Sequence, residues 1–264
     1  MHKFAKAIRS KTLEMIYEAK ASHIASCFSM ADILAVLYLK ILHINPADPK
    51  HPKRDRLIIS KGHAAASVYA ALALRGFFPM EELKTFCMPG SRLLGHVNHD
   101  IPGIEYSSGS LGHGLSIGAG IALAEEKEKL GFRTFVIASD GELNEGSSWE
   151  AILFAGHHRL KNLTLIVDYN RMQALGNTLD ILDLDPLGKK LEAFGWDVLE
   201  VDGHDYTLLE KAFEPNCLSV KPKAIIAFTT KGKGIACMEN SLAWHYKNPT
   251  DLEEMLLALE RNSF

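Results

Sequence analysis

Cysteine is scarce and scattered. The four thiols, Cys27, Cys87, Cys217 and Cys237, form no Cys-x-x-Cys pair, so neither a zinc site nor a disulfide framework is indicated, which fits buried or incidental thiols in a reducing compartment. Excess positive charge is also lacking: 29 Lys and Arg against 32 Asp and Glu leave a net charge of −3, which argues against nucleic-acid binding by bulk electrostatics. No apolar run reaches the roughly eighteen residues of a membrane span. The opening Met1-His2-Lys3-Phe4-Ala5-Lys6-Ala7-Ile8-Arg9 is amphipathic rather than a charged head before an apolar block, so no secretory signal is expected. Repeats, low-complexity tracts and linkers are absent too. These absences leave one expectation, a single cytoplasmic α/β domain over residues 1–264.

What is present alternates between strand and helix patterns. Lys3 to Lys20 carries an apolar helical stripe of Phe4, Ala7, Ile8, Leu13 and Ile16. Ser29 reads as the start of a second helix, with Asp32 three positions on as in a capping box, and the run from Ile33 to Leu39 reads as buried on most sides. The Pro-containing stretch Asn45 to Lys53 stops it. Strands are predicted at Leu57–Ile59, Thr134–Ala138, Leu163–Val167, Trp196–Val201 and Ala224–Thr229, with a helix at Tyr206–Phe213 and an amphipathic one after Asp251 ending near Phe264. Strands separated by helical crossovers imply a mostly parallel sheet with helices on both faces.

The most informative stretch is Ser139-Asp140-Gly141-Glu142-Leu143-Asn144-Glu145-Gly146, followed by Asp168-Tyr169-Asn170. Asp140 and Asn170 each follow a predicted buried strand, and Ser147 to Arg159 reads as the helix between. In such a unit the strand ends share one edge of the sheet, where ligands of α/β folds gather. A carboxylate, a neutral oxygen and spare coordination positions suit Mg²⁺ or Ca²⁺ shared with a diphosphate. Gly141 has no Cβ to obstruct that ligand. A plainer reading makes Asp140 only the cap of the next helix.

Other motifs favour the first reading. Ser60-Lys61-Gly62-His63-Ala64 follows a strand and opens an Ala-rich helix to Arg75. Ser108-Gly109-Ser110-Leu111-Gly112-His113-Gly114 opens a long helix to Leu130, after the loop Leu94-Gly95-His96. Ala21-Ser22-His23 and Trp244-His245 lie near the two ends. Together with the Asp140/Asn170 pair, which is similar to the thiamine-diphosphate signature with Ser139 for its first Gly, this order resembles the diphosphate-binding half of transketolases, over nearly the whole chain.

The resemblance implies thiamine diphosphate with Mg²⁺ or Ca²⁺ as cofactors. Asp140, Asn170 and the backbone carbonyl at Met172 would be the metal ligands, and Gly109, Leu111, Gly112, Gly141, Glu142, His63 and His245 would lie against the cofactor. His23 and His96 would line the sugar channel as proton donors or acceptors, alongside His63 and His245. Glu145 matches an acidic residue near the cofactors at the subunit interface; its plainer reading is an exposed carboxylate at a helix start. His99 and His113 are intermediate. His113 stands where Gln is common and would touch cofactor or substrate, or cap the turn. His2, His43, His51, His157, His158 and His204 match no family position.

The family's remaining domains are not expected in 264 residues, and the glutamate that bonds the aminopyrimidine lies in one of them. The resemblance therefore implies the N-terminal subunit of a split transketolase, transferring a two-carbon ketol unit from a ketose to an aldose. Its separately encoded C-terminal subunit would complete an α2β2 assembly. One departure is local: the family usually has Gly beside the first His and again shortly after, whereas this chain reads Ser22-His23-Ile24-Ala25-Ser26-Cys27-Phe28. Bulk there points from the usual pentose phosphate toward a modified or nucleotide-linked sugar. The rivals are a related thiamine enzyme (deoxyxylulose-phosphate synthase-like, or a 2-oxo-acid dehydrogenase component), a dehydrogenase using Gly112 to Gly118 as a dinucleotide loop, and a scaffold without turnover. The dehydrogenase reading has no clear strand before Gly112 and leaves Asn170 and the histidines idle; cofactor titration separates all of these.

Overall fold

Five strands, all parallel, form one sheet in the order β1-β2-β3-β5-β4 in a computed structural model that describes residues 1–215 and 218–261. The strands are β1 (Arg56–Ile59), β2 (Thr134–Ser139), β3 (Leu163–Tyr169), β4 (Asp197–Asp202) and β5 (Lys223–Phe228). Each predicted strand is present within two residues of its expected ends. The edge strand β4 is the least buried, whereas β2, β3 and β5 are almost wholly buried, as strands covered on both faces must be.

The alternation along each strand divides the core in two. Ile59, Phe135, Ile137, Ile166 and Ile225 face one apolar layer, built with α1 (His2–Ala19), α2 (Ile24–Ser29), α3 (Ala31–Val36), α4 (Ala65–Leu74), α9 (Tyr206–Phe213) and α10 (Leu252–Arg261). Ile58, Val136, Leu165, Val167 and Ile226 face the other, against α5 (Gly114–Glu128), α6 (Gly146–His157) and α8 (Leu187–Ala193). The short α7 (Thr178–Ile181) follows the loop after β3. Residues 262–264 and Cys217, to which two of the expectations extend, lie outside the described residues.

One local expectation is corrected. Ser29 does not cap a helix: it ends α2, and α3 starts after Met30 with no side-chain cap. The Ser29 hydroxyl donates instead to the Ser26 carbonyl at 3.1 Å and to Asp168 Oδ2 at 2.5 Å. Asp32 is occupied by Arg9 at 2.6 Å, the Tyr206 hydroxyl at 2.7 Å and His204 Nδ1 at 2.7 Å. Tertiary partners claim the polar groups that a capping box would have paired. Buried on all sides, as expected, α3 runs on into a π turn at Leu37–Ile41.

Candidate active site

Asp140 and Asn170 follow adjacent parallel strands, with Ser139 level with Asp168 in the register. Asp140 is fully buried. Its Oδ1 accepts the Gly141 N–H at 2.8 Å and its Oδ2 accepts the Arg171 N–H. Among the described residues no lysine or arginine pairs with it, and burial, with the charge of Asp168 next, pushes its carboxyl up to about 7. The helix-capping reading is therefore half right: the cap bond exists, but it leaves a buried carboxylate with no ion-pair partner among the described residues. Asn170 Oδ1 accepts the Met172 N–H at 3.1 Å, so Asn170 and Met172 belong to one tight turn, closed by a bridge from Met172 to Asn177. A cleft of about 380 Å³ opens beside this turn, lined by Asn170, Arg171, Met172, Asn177, Thr229 and Thr230 among others.

The glycine-rich segment is drawn against the same edge. Glu142, fully buried, accepts the Gly112 N–H at 2.8 Å and the Ser60 hydroxyl, and Ser60 Oγ in turn accepts the Gly114 N–H at 3.0 Å. Glu142 thus uses its carboxylate to tie the β1 turn to the Gly109–Gly114 loop. Gly112 has φ +84°, and a Cβ there would strike Ser147 and Glu145, so this loop needs glycine. Leu111 is half-buried in that loop and Glu145 is exposed beside it.

Four histidines from distant parts of the chain converge. The His23 ring lies 5.1 Å from His63, 5.3 Å from His245 and 6.3 Å from His96, centroid to centroid. His23 is held in the left-handed region at φ 71°, and its N–H donates to the His245 carbonyl at 3.2 Å. Gly109 packs on the His96 ring, where a Cβ would come within 3.1 Å, so glycine loop and histidine cluster touch. His113 and His99 are exposed, the latter bonded to Ser107, and neither joins the cluster. His204 sits in the Asp32 network, and His157 and His158 meet edge-on at the end of α6.

Two lysines complete the arrangement, and sequence reasoning singles out neither. Lys61 is fully buried and pairs with Asp168, which also accepts the Ser29 and Thr229 hydroxyls. Against the penalty of burial, that lysine holds the Asp168 carboxyl below its ordinary range. Lys231 Nζ lies 2.8 Å from His245 Nδ1 and 3.5 Å from the Met172 carbonyl, linking the histidines to the Asn170 turn. Burial, with Lys61 next, lowers it to about 8. The signal that could have found them is position: each follows within three residues of a strand end and precedes a glycine. Three of the site's imidazoles, those of His23, His63 and His245, are shifted toward the neutral form. Burial first, then His96, Lys231 and Lys61, lowers His23 to about 4; burial, then Lys231 and other neighbours, lowers His245 to about 3; burial also takes His63 well below its usual value.

The bulk after His23 does not narrow this site. Ile24, Ala25, Cys27 and Phe28 are fully buried in the apolar layer beneath, so the expectation that they crowd the sugar end is corrected: their side chains fill the core.

A family model described as "Transketolase, thiamine diphosphate binding domain" matches residues 1–255. The chain belongs to the transketolase family. It is similar to one of the named subunits of the apulose-4-phosphate transketolase of Phocaeicola vulgatus, with 40% identity over 92% of this chain and 86% of that protein. It is 42% identical to the 6-deoxy-6-sulfo-D-fructose transketolase subunit SqwG of a Clostridium species, over 94% of this chain and 90% of that one. The transketolase structure from Campylobacter jejuni superposes with a TM-score of 0.91 and 34% identity, over 98% of this chain but 42% of its own. The chain therefore spans about two fifths of that longer transketolase and most of the length of the two relatives named as single subunits.

The residues present fit the cofactors of a transketolase. The buried Asp140 carboxylate and the Asn170 and Met172 oxygens are a donor set that suits a hard cation shared with a diphosphate. Other clefts lie at the opposite edge of the sheet, among Arg133, Lys161 and Lys223, and contain none of these residues. No helix among the described residues is long and apolar enough to cross a membrane.

Proposed function

We propose that this chain is the diphosphate-binding subunit of a two-subunit transketolase, transferring a two-carbon ketol unit from a ketose to an aldose. One observation carries the reading: a fully buried carboxylate, Asp140, stands at the same sheet edge as four clustered histidines, which Lys231 joins to the Met172 turn. In this reading Asp140, Asn170 and the Met172 carbonyl hold Mg²⁺ or Ca²⁺, and Gly109, Leu111, Gly112, Gly141, Glu142, His63 and His245 line the thiamine diphosphate. Thiamine diphosphate supplies a nucleophilic carbon and an electron sink for cleaving and forming the carbon–carbon bond.

The protein's own part is binding and proton handling. Lys231 donates to His245 Nδ1, which leaves the proton on Nε2 and makes that nitrogen a donor toward the site. His23 and His96 face the sugar and exchange protons with its hydroxyls. A neutral imidazole suits the binding part of this work, because it offers sugar hydroxyls one N–H donor and one acceptor nitrogen. Glu145, exposed beside Gly112, contacts the complementary subunit. The partner supplies the glutamate for the aminopyrimidine, and the assembly is an α2β2 heterotetramer in the cytoplasm, with residues 1–264 as one thiamine-diphosphate domain. Relatives named for apulose 4-phosphate and 6-deoxy-6-sulfo-D-fructose support a branched or modified sugar rather than an ordinary pentose phosphate.

The test is calorimetry followed by an assay with the complementary subunit. Thiamine diphosphate binds with Mg²⁺ and not with EDTA, and Asp140→Asn raises its Kd by at least the roughly 10–100-fold that losing a group which merely supports a metal ligand costs. Binding by the variant equal to wild type would remove Asp140 from the metal site.

A further inference from the structure

Trp244, His245 and Tyr246 are consecutive, yet they point to different surroundings. Trp244 is 4% exposed and anchors the turn in the core; Tyr246 is 60% exposed. The Tyr246 ring nevertheless lies 4.6 Å from His245 and 5.4 Å from His23, both edge-on. Its hydroxyl makes no hydrogen bond among the described residues. An aromatic side chain that is neither buried nor bonded adds little to the fold, and this one stands against two of the four clustered histidines. The contacts run in order from the Met172 carbonyl to Lys231, to His245 and to Tyr246. The ring therefore borders the site at its histidine cluster.

We propose that Tyr246 determines sugar specificity, its ring forming one wall of the channel in which the ketose chain lies. This rests on the function proposed above and deepens it. A tyrosine ring offers a large, stiff apolar face with only two torsions to fix, suited to packing against the C–H groups of a sugar. A wall of that kind discriminates by chain shape, branched against linear or with a bulky terminal group. Its ring meets the residues proposed to line the cofactor only through an edge-on contact with His245. The crowding expected from the residues that follow His23 is supplied here instead, by a ring that the fold brings to His23 from the far end of the chain.

The experiment uses the chain assembled with its complementary subunit, thiamine diphosphate and Mg²⁺. Donors are apulose 4-phosphate, 6-deoxy-6-sulfo-D-fructose, D-fructose 6-phosphate and D-xylulose 5-phosphate, with D-ribose 5-phosphate as the common acceptor. Tyr246→Gly should change the ratio of kcat/KM between the best and a poorer donor by about tenfold or more, the scale of one small group in a shaped pocket. Tyr246→Phe should keep the wild-type ratio, and calorimetry should give both variants a wild-type Kd for thiamine diphosphate. Unchanged donor ratios in Tyr246→Gly overturn the proposal, as does an equal loss on all donors with weakened cofactor binding, which makes the ring a prop for His245. Failure of Tyr246→Gly to assemble overturns it in favour of an interface role. A wild-type assembly inactive on every ketose overturns the function itself and this proposal with it, whereas an active wild type with unaltered ratios in the variant removes Tyr246 alone.

Discussion

Lys61 and Asp168 are both fully buried, and their ion pair sits beneath the site with hydroxyls of Ser29 and Thr229 on the same carboxylate. Removing one partner of such a pair leaves a buried charge that nothing offsets. Lys61→Met should therefore cost about 3–5 kcal/mol in urea unfolding, the usual loss on breaking a buried pair; a loss below about 1 kcal/mol would show that hydroxyls suffice. The histidines give a pH dependence whose sign follows from their shifts. His23 titrates near 6.5 in the unfolded chain and at about 4 in the fold, so between those values the unfolded chain binds more protons. Its contribution to stability is complete above pH 6.5 and is lost as the pH falls toward 4. Urea midpoints measured across that window should fall with acidification, and less steeply in His23→Gln. At this scale the sequence is partly legible. Asp140, Asn170 and the histidines carry unusual chemistry next to glycines and strand ends, so they stand out. Lys61 and Lys231 do not, because a lysine in a loop is ordinarily solvated, and only burial turns it into part of the site.

Elements meet here through backbone closeness as much as through side chains. Gly62, in the turn after β1, lies so near Ser108 that a Cβ would overlap the Ser108 carbonyl, while Ser108 Oγ donates to the Ile59 carbonyl and Val97 N–H to the Gly62 carbonyl. This locks the β1 turn, the His96 loop and the glycine-rich loop into one unit. Gly62→Ala should cost about 1–3 kcal/mol, as overpacking does, and should also weaken thiamine diphosphate binding by displacing the 108–114 loop. The control is Gly120→Ala on the exposed side of α5, where a Cβ meets nothing within 4 Å. That change should stabilise by roughly 0.5–1 kcal/mol through helix propensity. Thermal unfolding of the two variants should separate in opposite directions, with cofactor calorimetry altered in the first alone. Helices and strands with strong periodicity, such as α1 and β3, are readable from pattern alone. The break at Met30 is not, because Ser29 and Asp32 have the right types and spacing for a cap, and what redirects them is Asp168, Arg9, His204 and Tyr206, remote in sequence.

Over the whole molecule, alternation of strand and helix foretells a parallel sheet with two covered faces, but not its order. The return of the chain from edge strand β4 to β5, beside β3, is a choice among long-range pairings that local pattern does not encode. That order sets the strand ends after β1, β2, β3 and β5 along one edge, and the Gly112 loop with Glu145 at its rim. Glu142 and Glu145 differ sharply there: the first is fully buried with its carboxylate bonded to Ser60 and Gly112, whereas the second is exposed. An exposed glutamate beside the Gly112 loop adds little to the chain's own stability, so Glu145→Ala should change its unfolding free energy by no more than about 0.5 kcal/mol, as surface substitutions do. If it meets the complementary subunit, the same substitution should weaken assembly, because a charge desolvated in an interface and bonded across it is costly to lose. Sedimentation velocity of the mixed subunits reads this directly. Wild-type chains should form the α2β2 species and transfer ketol units only in that form, and Glu145→Ala should move the assembly midpoint to higher concentration while leaving the isolated chain's unfolding curve in place. Assembly by the variant at wild-type concentrations would remove Glu145 from the interface, and robust ketol transfer by the chain alone would remove the need for a partner.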